Sequence, residues 1–429
     1  MDPPAHVVSN SNKISKVARV FMEQSRRENI VDFTLSAEQL KLQERAAEAG
    51  RALRGRSAEW DRSNKVPYPE VVEHVREHGL LALTMPTEYG GQGLTAMDYL
   101  ITVEAMFRNS QFWAIGEPLF ATAGPGPSMV MMAESQATRD KFLPDLVAGT
   151  KQCAIALTEP DYGSDLTSLI TTAERSGDGY VLNGKKTYVT GATVNQLYAV
   201  FVRFDDIPGH RGIGAIIIEE DMPGVTIEAG PEFMGCRGIP HGDLTLSNVH
   251  VPAENLIRGP GSFGDLMTAF NMERLHNCAF NLGMAGAAYD EAEKFVRERI
   301  AFGRPVAEFQ SVYHALVDMW TDLEALRLMA RNAAASAIDG NYPKALETTA
   351  AKLYGARVAS QITLKALELH GGYGATTDYA IERIHRDVVA TIVAGGTPPV
   401  LRNAIAAYIL PGVNVSQRSG RDSKKAATV

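Results

Sequence analysis

The texture of this chain changes twice, and that alternation limits its fold more than any single motif. From Leu35 to about residue 150 the apolar residues recur at helical spacing. They run from a Ser36/Gln39 capping-box pattern through VVEHVREHGLLAL, MDYLITVEAMF and RDKFLPDLVAG, with loops at Gly and Pro between them. After Gly149 the runs become short and strand-like: GYVLNG, TYVTGA, LYAVFVRF, GIGAIIIEE and DLTLSNVHV, separated by Gly, Pro, Asn and Asp. In the last of these Leu244 and Leu246 alternate with Asp243, Thr245 and Ser247, the period of two that gives a strand one buried face. From Phe263 long helical segments return, with few breakers inside each. Helices, then strands, then helices predict an α+β chain whose helical bundle draws on both ends and holds a β domain between them.

The boundaries read as a tail or arm over 1–31, an N-terminal α-helical domain over 32–151, a middle β domain over 152–258, a C-terminal α-helical bundle over 259–412 and a polar tail over 413–429. At 429 residues the chain exceeds what one hydrophobic core organises, which agrees with several domains. A net charge of −8 argues against a nucleic-acid partner or an anionic membrane surface, so an anionic substrate must meet a local basic patch. Cys153, Cys236 and Cys278 are too few and too scattered for a disulfide framework or a zinc site. They read as core thiols in a reducing, cytoplasmic setting, or the mitochondrial matrix in a eukaryote. No run reaches the roughly 18 apolar residues of a membrane span, so no membrane insertion and no metal are expected.

One GxGxxG occurs, GPGSFG at 259–264, but only long helical segments follow it, with no further strand to complete the βαβ unit of a Rossmann site; GxSxG does not occur, which removes the hydrolase-elbow reading. GYVLNGKKT has the look of a phosphate loop but places Lys186 where a Ser or Thr must meet magnesium. Its Asn183-Gly184 pair, between two strand-like runs, reads as a hairpin turn.

Three longer segments carry chemistry: ALTEPDYGSDLTS at 156–168 with NGKKTYVTGA after it, RIAFGRPVAEFQ at 299–310, and ELHGGYGATTDYAIERIHRD at 368–387. In order and placement they resemble the FAD-dependent acyl-CoA dehydrogenase family over roughly residues 35–410. The resemblance implies an oxidoreductase acting on CH–CH groups. Its expected fold is an N-terminal α-helical domain, a barrel- or sandwich-like middle β domain and a C-terminal four-helix bundle. It also implies a homotetramer built as a dimer of dimers, an acyl-CoA substrate, and electron-transfer flavoprotein as acceptor. By the same resemblance Leu157, Thr158 and Ser164 lie beside the isoalloxazine ring and the substrate, and Tyr188 and Thr190 lie on the ring's other side. Arg299, Phe302 and Gln310, with Glu368 and Gly372, would hold the ADP half of a neighbouring subunit's FAD. The family commonly has Gln where Glu368 stands.

Removing a proton from the carbon next to a thioester needs a carboxylate in a water-poor pocket. Many family members supply it from an E-G-T sequence. Here that stretch is IVAGGTPPVLRN, and aligning Gly396-Thr397 puts Gly395 where the Glu would be. Thr397 keeps the family's cofactor position, whereas Pro399 replaces a residue whose side chain contacts FAD. A minority, including isovaleryl-CoA dehydrogenase, carries the Glu directly before the CoA-binding arginine. In AFNMERLHN that assigns the base to Glu273, CoA binding to Arg274, and a place near the pantetheine to Asn271. The Gly395 backbone N–H would still polarise the thioester oxygen.

MGCRGIP and IVAGGT also resemble members that have left ordinary dehydrogenation, so an enoyl-CoA reductase or a non-redox CoA-thioester lyase is the alternative, and a flavin-bearing scaffold a remote one. The stretch FWAIGEPLFATAGPGPSMVMM, over the usual pocket helix, reads as an apolar cavity wall without a charged anchor, for a short, branched or cyclic acyl group.

Overall fold

The computed structural model describes residues 33–337, 342–411 and 413. The expected N-terminal arm, and the polar tail apart from Val413, lie outside them.

The first helical block comprises α1 (Ala37–Arg54), α2 (Ser57–Ser63), α3 (Tyr68–Glu77), α4 (Ala96–Ser110), α5 (Glu117–Ala123), α6 (Pro125–Met131) and α7 (Gln136–Ala148). The predicted capping box starts α1: the Ser36 hydroxyl accepts from the Gln39 N–H, and the Gln39 side chain accepts from the Ser36 N–H. Thr95 and Asp98 repeat the device at α4.

Eight strands follow: β1 (Cys153–Ala156), β2 (Thr172–Ser176), β3 (Gly179–Thr190), β4 (Leu197–Phe204), β5 (Ile213–Glu219), β6 (Val225–Glu228), β7 (His241–Pro252) and β8 (Leu256–Arg258). They form one sheet in the order β6-β7-β3-β2-β4-β5-β8, with β1 parallel to β4. As the alternation requires, Leu244 and Leu246 are buried while Ser247 is exposed.

The hairpin expected at Asn183-Gly184 is not a turn. β3 runs straight through both residues, paired to β2 on one side and β7 on the other. Its register against β7 slips between Leu182 and Gly184, where Gly184 takes φ +149° and an added Cβ would lie 2.5 Å from the Thr171 hydroxyl. The glycine therefore marks a bulge. The chain reverses instead at Gly177-Asp178, flanked by the Ser176–Gly179 pair, with Gly177 at φ +60°.

The second helical block consists of α8 (Phe263–Glu298), α9 (Gln310–Ala335), α10 (Ala345–Leu369), α11 (Ala380–Ala390) and α12 (Pro398–Ile409), with a two-strand ribbon, β9 (Ile300–Ala301) and β10 (Arg304–Pro305), between α8 and α9. Every residue of α8 from Ala269 to Ala288 is buried, so this helix is the axis of the molecule. α4 crosses it closely because Gly283 has no side chain: a Cβ there would lie 2.6 Å from the Glu104 carbonyl. One core joins α1, α3 and α4 to α8, α9, α10 and α11, so helices from both ends of the chain share one interior, as expected. A second core packs α6 and α7 on one face of the sheet, and a third fills the other face. The three cysteines are free and buried. Among the described residues no single helix is long and apolar enough to cross a membrane, and no group of three metal-ligating side chains forms.

Candidate active site

The two halves of the first motif are tied to each other. Glu159, from the TEP sequence, accepts from the N–H groups of Ile170 and Thr171 and pairs at 2.8 Å with Lys186, from the NGKKT strand. Lys186 also donates to the Leu157 carbonyl at 3.2 Å. Both side chains are fully enclosed. Burial lowers the Lys186 ammonium to about 8 despite its partner, and burial of Glu159 is outweighed by Lys186 and the backbone donors, which hold its carboxyl down. This ion pair pins the 157–164 loop against β3.

That loop forms one wall of a cavity of about 1220 Å³ enclosed by the sheet, by α5 and by the helices α8 and α12. Leu157, Thr158 and Ser164 line it, and so do Tyr188 and Thr190 at the end of β3. Tyr188 sits at φ +55° and keeps 57% of its surface open, with its ring 6.1 Å from Phe233. A bulky residue in that conformation is strained and held there by its surroundings. Cys236, also in the wall, has φ +53° and is held by Asp387: this buried carboxylate accepts from the Cys236 N–H at 2.7 Å and from the Trp113 N–H at 3.1 Å. Asp387 belongs to the third motif, so α11 sets the position of two cavity loops. The neighbouring Arg386 forks onto Asp61.

The far wall brings together Glu273, Arg274, Asn277, Gly395, Gly396 and Thr397. Gly395 has φ +65°, and a Cβ placed on it would lie 3.5 Å from Glu273 Oε1 and 2.9 Å from Asn277 Nδ2. Positions 273 and 395 thus address one point in space: a Cβ at 395 would press on the Asn277 amide and touch the carboxyl of Glu273. Glu273 Oε2 is buried without a hydrogen-bond partner. Burial pushes this carboxyl up to about 7, against the pull of Arg274 and Lys352, the Gly395 N–H and Asn277.

Lys352, on α10, carries no motif signal and has no exposed surface. Its Nζ donates to the carbonyls of Ile392 at 2.8 Å and Gly396 at 3.0 Å, clamping the turn that carries Gly395. Burial lowers it to about 8, while Glu273 pulls it up. Arg274 donates to the Gly395 carbonyl at 3.4 Å and to Asn271 Oδ1 at 3.0 Å. Asn271 itself sits behind Arg274, with its amide on the Pro343 carbonyl, and orients the guanidinium.

Arg299, Phe302, Gln310, Glu368 and Gly372 stand apart from this cavity, on the outer surface. Phe302 is 94% exposed at φ +52°, and the Arg299 guanidinium lies 5.6 Å from the Tyr373 ring, next to Gly372. Glu368 pairs with Lys365.

The stretch read as an uncharged wall differs from that expectation. Its Glu117 lines the cavity and is almost completely buried. In sequence Glu117 looks like an ordinary acid in the first turn of a helix, and only the packing of α5 turns it inward. His276 joins it in the wall, with Nδ1 2.9 Å from the Tyr99 hydroxyl; burial depresses the imidazole to about 3, so it stays neutral.

The acyl-CoA dehydrogenase N-terminal domain family matches residues 36–150, the middle domain family residues 154–249 and the C-terminal domain family residues 263–410. The chain is 34% identical over 392 residues to a 3-sulfinopropanoyl-CoA desulfinase of Paraburkholderia xenovorans, covering 90% of this chain and 99% of that protein. It is 33% identical over 342 residues to the caffeyl-CoA reductase–Etf complex subunit CarC of Acetobacterium woodii, covering 80% and 89%. The structure of butyryl-CoA dehydrogenase from Megasphaera elsdenii superposes with a TM-score of 0.84 at 30% identity, over 89% of this chain and 100% of that one.

Proposed function

Because the chain belongs to the acyl-CoA dehydrogenase family, we propose that it is an FAD-dependent enzyme that removes a hydrogen pair from the α and β carbons of an acyl-CoA thioester. The residues present fit the cofactor. A cavity of about 1220 Å³ exceeds what an acyl chain alone requires, and it offers the hydroxyls of Thr158, Ser164, Thr190 and Thr397 beside an open, strained Tyr188 ring. Glycines 395 and 396, at φ +65° and +108°, leave a bare backbone floor for a flat ring to approach. Bound FAD supplies the hydride acceptor.

The observation that carries the reading is the carboxyl of Glu273, buried, unpartnered at Oε2 and facing the place where a side chain at 395 would stand. Poised at about 7, it is basic enough to take the α proton and is ionised in a useful fraction near neutrality. Asn277 and Lys352 keep it from drifting further up. The Gly395 N–H faces the Glu273 carboxyl, and it serves the thioester oxygen, where charge develops as the α proton leaves, once bound substrate takes over that contact. Arg274, oriented by Asn271, meets the CoA part. Arg299, Phe302, Gln310, Glu368 and Gly372, on the outer face, serve the cofactor of a second subunit in a tetramer.

Electron-transfer flavoprotein is the proposed partner, supported by the Etf-linked relative. That relative also favours a second reading, reduction of an enoyl-CoA, in which protonated Glu273 delivers the proton to the α carbon. A non-redox lyase needs no base at this point, and Glu273 speaks against it. In Glu273→Gln the protein is expected to keep its FAD and lose α-proton exchange with solvent deuterium by about three orders of magnitude, followed by NMR on an acyl-CoA. Exchange at the parent rate would remove Glu273 from the base role.

A further inference from the structure

The cavity wall beyond Glu273 carries a polar group that proton transfer does not use. One turn along α8 stands His276, with the Phe107 and Phe120 rings edge-on against it at 5.7 and 4.9 Å. One turn back from Phe120 on α5 is Glu117. It is 3% exposed and faces the cavity, and among the described residues nothing donates a hydrogen bond to it. No cation offsets its burial, which pushes the carboxyl up to about 8. A carboxyl in such a place is unfavourable unless something completes its hydrogen bonding, and the open side is the cavity.

We infer that Glu117 receives a hydroxyl group on the acyl chain, so that the substrate is a CoA thioester whose acyl part is a ring bearing a neutral hydroxyl. This deepens the acyl-CoA reading above and rests on it. Charge excludes an anionic acyl group. An acyl group ending in a carboxylate or sulfinate would meet a carboxyl with no basic group beside it. The guanidinium of Arg203, also in the wall, is already taken by the carbonyls of Leu169, Ile207, Gly209 and Thr167. An ammonium would also meet the carboxyl and the aromatic rings favourably, so tighter binding of an amino-substituted ring than of a hydroxylated one would overturn the inference. A hydroxyl can donate or accept, which suits a carboxyl in either protonation state. Phe107, Trp113, Phe120 and Phe270, all in the wall, match the body of a ring.

The test uses the full chain loaded with FAD and two sets of thioesters. Calorimetry compares cinnamoyl-CoA with its 3- and 4-hydroxy forms, and anaerobic flavin bleaching compares 3-phenylpropanoyl-CoA with the matching hydroxylated chains. At least one hydroxylated ligand should bind about ten-fold or more tighter than the unsubstituted one. Glu117→Leu should bring that preference to within about two-fold, and Glu117→Gln, which keeps a hydrogen-bonding amide, should retain part of it. Equal binding of hydroxylated and plain rings by the parent protein overturns the inference whatever the variants do, as does a preference that survives Glu117→Leu. Bleaching by the plain chain without a hydroxyl preference sinks this inference alone. Failure of any acyl-CoA to bleach the flavin sinks the parent reading.

Discussion

Glu273 couples function to stability with opposite signs. Its folded carboxyl titrates near 7 against an ordinary value of 4.5, so the folded state holds its proton longer than the unfolded one. Below about pH 4.5 the group is neutral in both states and has no effect. As pH rises towards 7 the unfolded chain ionises first, and stability falls by ~3 kcal/mol in all. Glu273→Gln, a neutral isostere, should therefore match the parent near pH 4 and melt higher at pH 8, in thermal scans of the two proteins across that range. A variant no more stable at pH 8 would mean that the carboxyl is better solvated than its burial implies. Activity runs the other way. In the base role proposed for it the group must be ionised, so kcat/KM should rise with pH through about 7.

At the scale of elements, two lysines hold the parts that the site depends on. Lys352 joins α10 to the turn at 392–396 and lends positive charge to Glu273. Lys352→Met should shift the rising limb of the kcat/KM profile to higher pH, because that charge holds the carboxyl down, and should lower stability by about 2–4 kcal/mol through two abandoned carbonyls. An unmoved limb would confine Lys352 to the scaffold. Lys186→Met leaves Glu159 buried and unpaired, and should cost about 3–5 kcal/mol in a denaturant melt and reduce FAD content as the 157–164 loop loosens. Adding Glu159→Gln should recover part of the loss; no recovery would mean that the pair does not act as a unit. In the same region the Asn183-Gly184 pair misled because a bulge and a tight turn ask the same backbone freedom of glycine. Pairing of β3 on both edges decides between them.

Across the whole molecule, α8 is the shared axis: it belongs to the core that joins both helical blocks, and it carries Glu273, Arg274 and His276 into the cavity. The ribbon carrying Phe302 and the α10 end carrying Glu368 and Gly372 face outward instead. If they complete a neighbour's cofactor site, Arg299→Ala and Phe302→Ala should lower FAD retention about ten-fold or more in ultrafiltration while leaving the circular dichroism and the melting of the chain unchanged. Full retention in the double variant would place the whole cofactor site within one chain.

By itself the sequence determined the order of helices and strands, the three motifs, and the presence of Gly395 in the GGT stretch together with a Glu-Arg pair at 273–274, since these are matters of residue type at fixed spacing. Periodicity and spacing carry that information locally. Only the tertiary structure decided that Glu273 and Gly395 meet at one point, that Lys352 and Lys186 are buried tethers, and that Glu117 looks inward. A lysine or a glutamate on a helix is a solvated residue by composition, and what makes it a clamp or a receptor is the burial imposed by elements distant in sequence.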